Sequence, residues 1–169
     1  MDISDIKVWV GCLACYNDGR LTGQWVEALE AADFTPCTRP GHEEWWCLDH
    51  ENLPISGECS PMEAQKIAES LDELDDYLLE PALAWLKGDP SNRDLDQFED
   101  RYAGEWDNAT AYAMELFDDC GYGKILDDLD GETRGWFDVD WGAVTRDLTA
   151  DMEEEPAPGG SVYLYHCEV

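Results

Sequence analysis

Residues 60–80 read SPMEAQKIAESLDELDDYLLE, and the period of the chain changes at the start of this stretch. Ser60 suits a helix N-cap, Pro61 the first helical position, and Glu63 the third position of a capping box. Ile67, Leu71, Leu74 and Leu78 follow at i, i+4, i+7 and i+11, the spacing of one helix face. Glu69, Asp72, Glu73, Asp76 and Glu80 follow at i, i+3, i+4, i+7 and i+11 on the face opposite the leucines. On one continuous helix they would span about 16 Å, near 4 Å per charge, against 3.4 Å between phosphates along one DNA strand. Such a face opposes helix stability. Like charges at i,i+4 cost roughly 0.2–0.5 kcal/mol per pair, so six pairs at i,i+3 or i,i+4, Asp75 included, cost on the order of 1–3 kcal/mol at low salt.

Upstream, the pattern is that of strands and turns. Ile6 to Leu13 is rich in β-formers and predicts a strand. Asn17-Asp18-Gly19 marks a turn, because Gly tolerates positive φ. Gln24 to Ala32, carrying Trp25, Val26 and Leu29, reads as a short helix. Trp45-Trp46-Cys47-Leu48 is a second strand, and Pro54 and Gly57 close the unit. Downstream, Pro81 starts or kinks a segment ending near Gly88, and Ser91 caps a helix with Leu95, Phe98 and Tyr102 on one face. Asp107 is placed to cap a helix through Tyr112, Ala113, Leu116 and Phe117, stopped at Gly121. Asp138 is placed to cap another with Trp141, Val144 and Leu148. Asp151 to Gly160 reads as a loop and Ser161 to Cys167 as a closing strand. The fold class is therefore α+β, in three small domains: an α+β unit over 1–61, a mostly helical unit over 62–103 and an α+β unit over 104–169.

The whole chain is acidic. Its 169 residues hold 40 Asp and Glu against 10 Lys and Arg, a formal charge of −30. The three segments carry −8 (3 basic, 11 acidic), −8 (4 basic, 12 acidic) and −14 (3 basic, 17 acidic). The densest run is Asp118, Asp119, Asp127, Asp128 and Asp130, bordered by Phe117, Trp136 and Phe137. A hydrophobic fraction of 44% belongs to a globular chain rather than a disordered one. Charge of this size excludes nucleic acid and anionic lipid as partners and favours basic surfaces. Duplex DNA carries one charge per ~1.7 Å, so thirty charges correspond to about 50 Å of duplex, while a compact chain of this length is roughly 40 Å across. No signal peptide or membrane span is visible, which predicts a cytoplasmic protein whose seven cysteines are thiols.

Signs of other chemistry are few. Cys12-x-x-Cys15, with Cys37, His42, Cys47, His50 and Cys59, offers zinc-ligand types. No second close cysteine pair follows, and Cys12 and Cys15 straddle the end of a strand, so core thiols and no metal are expected. His42-Glu43-Glu44 lacks the second His of a zinc-protease helix. Asp128-Leu129-Asp130-Gly131 fails as a calcium loop, because Leu126 and Phe137 would occupy ligand positions. No phosphate-binding loop or nucleophile elbow occurs, so neither an enzyme nor a cofactor is expected.

The run Val8-Trp9-Val10-Gly11-Cys12-Leu13-Ala14-Cys15-Tyr16-Asn17-Asp18-Gly19-Arg20-Leu21-Thr22-Gly23-Gln24-Trp25 resembles the opening strand of the ArdA antirestriction family, with its Tyr-Asn-x-Gly-x-Leu-x-Gly-x-Trp signature. Glu43-Glu44-Trp45 followed by Asp49-His50-Glu51 is similar to a second family block. Tyr102-Ala103-Gly104-Glu105-Trp106, Tyr112-Ala113 and Phe137-Asp138 through Arg146-Asp147-Leu148 resemble the C-terminal blocks. The cysteines at 12, 15 and 47 are not part of that pattern, and Asp127 to Gly135 is more acidic and Gly-rich. The resemblance implies a homodimer formed through the C-terminal part. It also implies mimicry of bent B-form DNA, with the protein in the DNA-binding groove of type I restriction–modification enzymes. The ten carboxylates named above, Glu69 to Glu80 and Asp118 to Asp130, would then stand in for phosphates. A dimer would carry twice the chain's charge of −30, equivalent to about 100 Å of duplex, or roughly 30 base pairs. The competing readings are an acidic binder of another basic partner, such as a histone-like chaperone or nuclease inhibitor, and a halophile-adapted globular protein.

Overall fold

The structure, a computed structural model, describes residues 1–88 and 94–167. It is mixed α+β and divides into two compact units, Met1–Asp96 and Gln97–Val169.

The first unit is built on an antiparallel sheet of β1 (Lys7–Cys12), β2 (Gly23–Glu27) and β3 (Trp45–Glu51), with β1 in the centre. Ile6, Val8 and Val10 alternate along the chain and are fully buried, the period-2 pattern of a sheet face. The expected helix over 24–32 is instead β2 followed by a 3-10 helix, Ala28–Asp33. Cross-strand pairing overrides helix propensity there. Trp25 and Val26 lie opposite Trp9 and Val8, and the Trp9 and Trp25 rings meet edge-to-face at 6.1 Å. Between β1 and β2, α1 (Leu13–Asn17) makes the corner, and Gly19 takes the left-handed conformation at the predicted turn.

Gly11 and Gly23 face each other at the end of the β1–β2 ladder. A Cβ on Gly23 would stand 2.5 Å from the Val10 carbonyl oxygen and 2.9 Å from the Gly11 Cα. Backbone cannot yield as a side chain does. Gly23→Ala is therefore expected to cost about 1–3 kcal/mol, read as a lower midpoint in thermal unfolding. An unchanged midpoint would mean that the strands can part there without penalty.

The helix predicted after Ser60 forms as α2 (Pro61–Asp72), with Pro61 in its first turn and the Ser60 hydroxyl accepting the Glu63 N–H at 3.1 Å. Its buried face is Ala64, Ala68 and Leu71, at i, i+4 and i+7. It packs on the 3-10 helix over 28–33 and on β3, so contacts bridge the expected boundary at 61/62. α2 stops at Asp72, and Asp75 is extended. A 3-10 turn, Asp76–Leu78, then leads into α3 (Leu79–Gly88), which buries Leu79, Ala82, Leu83 and Trp85. The expected helix cap at Ser91 lies outside the described residues.

The second unit opens with a short helix, α4 (Phe98–Arg101). Its antiparallel sheet is β4 (Tyr102–Trp106), β5 (Met152–Pro156) and β6 (Val162–His166), with β6 in the centre. Tyr102 was expected on a helix face. It begins β4 and stacks on Phe98, with ring centroids 5.4 Å apart. The expected loop over 151–160 contains β5. Its Glu triplet had argued against a strand, but β5 is an edge strand, where charges are at home and discourage pairing with other chains. Gly159 and Gly160, both at positive φ, turn the chain into β6, whose Tyr163, Leu164 and Tyr165 are buried.

The remaining helices are α5 (Ala109–Asp119), α6 (Tyr122–Asp127), α7 (Gly131–Arg134) and α8 (Trp141–Leu148). Two caps fall beside the expected residues. Asn108, not Asp107, accepts the Ala111 N–H, and Asp140, not Asp138, accepts the Ala143 N–H, each at 3.0 Å. Gly121, in the left-handed conformation, ends α5 as expected and at once precedes α6. Phe117 ties these helices together through its ring contacts with Tyr122 and Trp141, both at 5.2 Å.

Candidate functional site

The candidate site is the carboxylate surface. Of the ten predicted residues, Glu69, Asp72, Glu73, Asp76, Asp118, Asp119, Asp127 and Asp128 are exposed, and among the described residues none of these eight is ion-paired. A solvated carboxylate without a cation keeps its full field, which is what attraction of a basic partner needs.

The single helix face expected over 69–80 does not form. Glu69 and Asp72 lie on α2, Glu73 is its C-cap, Asp76 sits in the 3-10 turn and Glu80 lies in α3. The 16 Å row with one charge per 4 Å is therefore replaced by a bent one. The reason lies in the charges themselves. Asp72, Glu73, Asp75 and Asp76 would repel one another along a continuous helix, and the break at Asp75 relieves this. It also lets Leu78 and Leu79 turn inward, where both are buried.

Two of the ten are committed within the fold. Glu80 accepts the N-terminal ammonium of Met1 at 2.5 Å, and this hydrogen bond, then the charge of Glu80, raises the pKa of the amine. Asp130 is the N-cap of α7. It accepts the N–H groups of Glu132 and Thr133 and, at 2.6 Å, the Thr133 hydroxyl. That hydroxyl first, and then the backbone donors, hold its carboxyl below the usual range. Because the folded value is lowered, the cap's stabilisation is complete above the ordinary carboxylate pKa and is lost as pH falls through the lowered one. Asp130→Asn keeps an acceptor and removes the charge. It is expected to lower the unfolding midpoint at neutral pH by less than Asp130→Ala does. Equal losses in both variants would show that charge, rather than capping, fixes α7.

In the second unit the acidic run is divided between helix ends. Asp118 and Asp119 end α5, while Asp127 ends α6 and Asp128 caps it. Asp118 also lies against Gly123, where a Cβ would meet its Oδ1 at 2.2 Å. Beside this run Trp136 and Phe137 are 72% and 52% exposed, and Tyr122 and Ile125 are exposed as well. Phe117 is half-buried and serves the core of its own unit. Among the described residues no helix is long and apolar enough to cross a membrane.

The family profile described as Antirestriction protein (ArdA) matches residues 8–163. The chain belongs to this family. No curated protein matches it. The profile's span takes in both sheets except the first residue of β1 and the end of β6, and it includes all ten carboxylates. Membership of this family implies an antirestriction function.

Cys12, Cys15, Cys37 and His42 come together in the first unit, with the three thiols buried as expected of core thiols. Cys37-x4-His42 is itself a close pair of ligand types.

Proposed function

We propose that the protein inhibits restriction by imitating B-form DNA and occupying the DNA-binding groove of a type I restriction–modification enzyme. One observation carries this reading: eight exposed carboxylates spread over both units without ion pairs, in a family member of net charge −30. No bond is made or broken. Inhibition is competitive occupancy, and it acts where the restriction enzyme acts, in the cytoplasm. The elongated, three-part chain implied by the family resemblance belongs to the same reading.

Carboxylates set more sparsely than phosphates condense fewer counterions. The complex should weaken as salt rises, but with a shallower slope than the enzyme's complex with DNA. Cleavage of a target plasmid by a type I enzyme is the functional test. The protein should block it, and a higher concentration of the target plasmid should restore it competitively. Inhibition that no amount of target plasmid relieves would overturn the reading.

We infer a homodimer formed through the second unit, supported by the exposed Trp136 and Phe137. Sedimentation of Trp136→Ser/Phe137→Ser is expected to show monomer where the native chain shows dimer. An unchanged mass would move the subunit contact elsewhere.

A further inference from the structure

The four residues Cys12, Cys15, Cys37 and His42 are not among the carboxylates of the proposed antirestriction surface. Their ligand atoms all fall within 4.8 Å of one another. Three sulfurs converge on one nitrogen: His42 Nδ1 is 3.3 Å from Cys12 Sγ, 3.4 Å from Cys15 Sγ and 3.6 Å from Cys37 Sγ. Cys15 Sγ and Cys37 Sγ are 3.9 Å apart.

Hydrogen bonding alone cannot explain this convergence. A neutral imidazole nitrogen has one lone pair or one proton, so it serves one thiol and leaves the other two without purpose. Nor is the contact a disulfide, since 3.9 Å is far beyond a bonded S–S distance of ~2.05 Å. A tetrahedral metal explains all four distances. With Zn–S about 2.3 Å and Zn–N about 2.05 Å, tetrahedral angles give edges of ~3.8 Å between sulfurs and ~3.6 Å between sulfur and nitrogen. Those four of the six edges fall within about 0.3 Å of these values, and the other two, from Cys12 Sγ to the Cys15 and Cys37 sulfurs, lie within 4.8 Å.

The surroundings fit as well. Cys12, Cys15 and Cys37 are buried, packed with Ala14 and Trp45, and His42 is half-buried at the edge of the cluster. The Arg39 guanidinium approaches Cys15 Sγ at 3.8 Å, a cation beside what would be an anionic Cys3His centre. The ligands also join two parts of the chain that are distant in sequence. Cys12 and Cys15 lie at the β1–α1 corner, whereas Cys37 and His42 lie in residues 34–44, which contain no helix or strand.

We propose that Cys12, Cys15, Cys37 and His42 bind one structural Zn²⁺ through three thiolates and His42 Nδ1. The metal pins the 34–44 loop, with its carboxylates Glu43 and Glu44, to the corner of the first sheet. Each thiol loses its proton to solvent as the ion binds. With all four positions filled by protein, the site has no open coordination position for catalysis.

The test uses the full-length chain purified under reducing conditions. Elemental analysis should find about one zinc per chain. Replacing the metal with Co²⁺ should give the tetrahedral d–d bands and thiolate charge-transfer band of a sulfur-rich site, bleached by added zinc. Alkylation mapped by mass should find Cys12, Cys15 and Cys37 protected with zinc and reactive after chelation, with exposed Cys120 reactive throughout. Chelation should lower the unfolding midpoint by on the order of 10 °C. Cys37→Ser and His42→Ala should lose the stoichiometric zinc, and Cys120→Ser should keep it. If those variants do not fold, the cobalt spectrum and the alkylation map of the native chain decide. A folded, reduced native chain without thiolate–cobalt bands would overturn the proposal, as would zinc retained by Cys37→Ser or a Cys15–Cys37 disulfide in the reduced protein.

Discussion

Changing Glu69→Gln, Asp72→Asn, Glu73→Gln and Asp76→Asn together is expected to weaken binding to the restriction enzyme on the order of a hundredfold. An exposed charge facing a basic groove is worth roughly a threefold change in affinity, and four such charges compound if each faces the groove independently. No single change in the set should exceed about tenfold, because the contact is distributed. The fold should not suffer. All four side chains are exposed, and among the described residues none is ion-paired. Removing the repulsion around the α2 terminus should, if anything, raise the unfolding midpoint slightly. Titrating native and quadruple variants against the enzyme by calorimetry, at one fixed salt concentration, reads the effect. One substitution that abolished binding alone would replace the distributed surface with a hot spot.

The largest effect on stability is expected from Phe98→Ala. Phe98 is fully buried, stacked on Tyr102 at 5.4 Å and tilted against Tyr165 at 6.4 Å, and Tyr165 is itself fully buried on the central strand. Truncating such a ring typically costs 3–5 kcal/mol, a large share of the 5–15 kcal/mol that holds a domain folded. Unfolding of the second unit should shift to much lower denaturant concentration, read by near-ultraviolet dichroism of its tyrosines. A loss below about 1 kcal/mol would mean that the Tyr102, Tyr163 and Tyr165 rings close the gap on their own.

These two cases show where the sequence was informative. Ile6, Val8 and Val10, the Ser60-Pro61 start of α2 and the Gly121 stop are local signals, and each survives in the fold. β2 and β5 are set by partners distant in sequence. Gln24 to Ala32 has helical character alone, but Gln24 to Glu27 pair with β1, and the Glu triplet of β5 is tolerated because β5 is an edge strand of its sheet. The break at Asp75 was foreshadowed in the repulsion between its neighbours, but the leucine period masked it. Residue type identified the carboxylates as a surface. Their real spacing, and the diversion of Glu80 and Asp130 to the N-terminus and to a helix cap, required the fold. The cysteine–histidine cluster is the reverse case: its ligands were visible as spacings, but Cys37 and His42 reach Cys12 and Cys15 only through the path of the 34–44 loop.

The central claim is DNA mimicry, and displacement tests it most directly. A type I methyltransferase core is loaded with a fluorescent duplex containing its recognition site, and the protein is titrated in while anisotropy is followed. Mimicry predicts complete release of the duplex, with the midpoint rising in proportion to the duplex concentration. Binding of the protein to the enzyme while the duplex stays bound would contradict it.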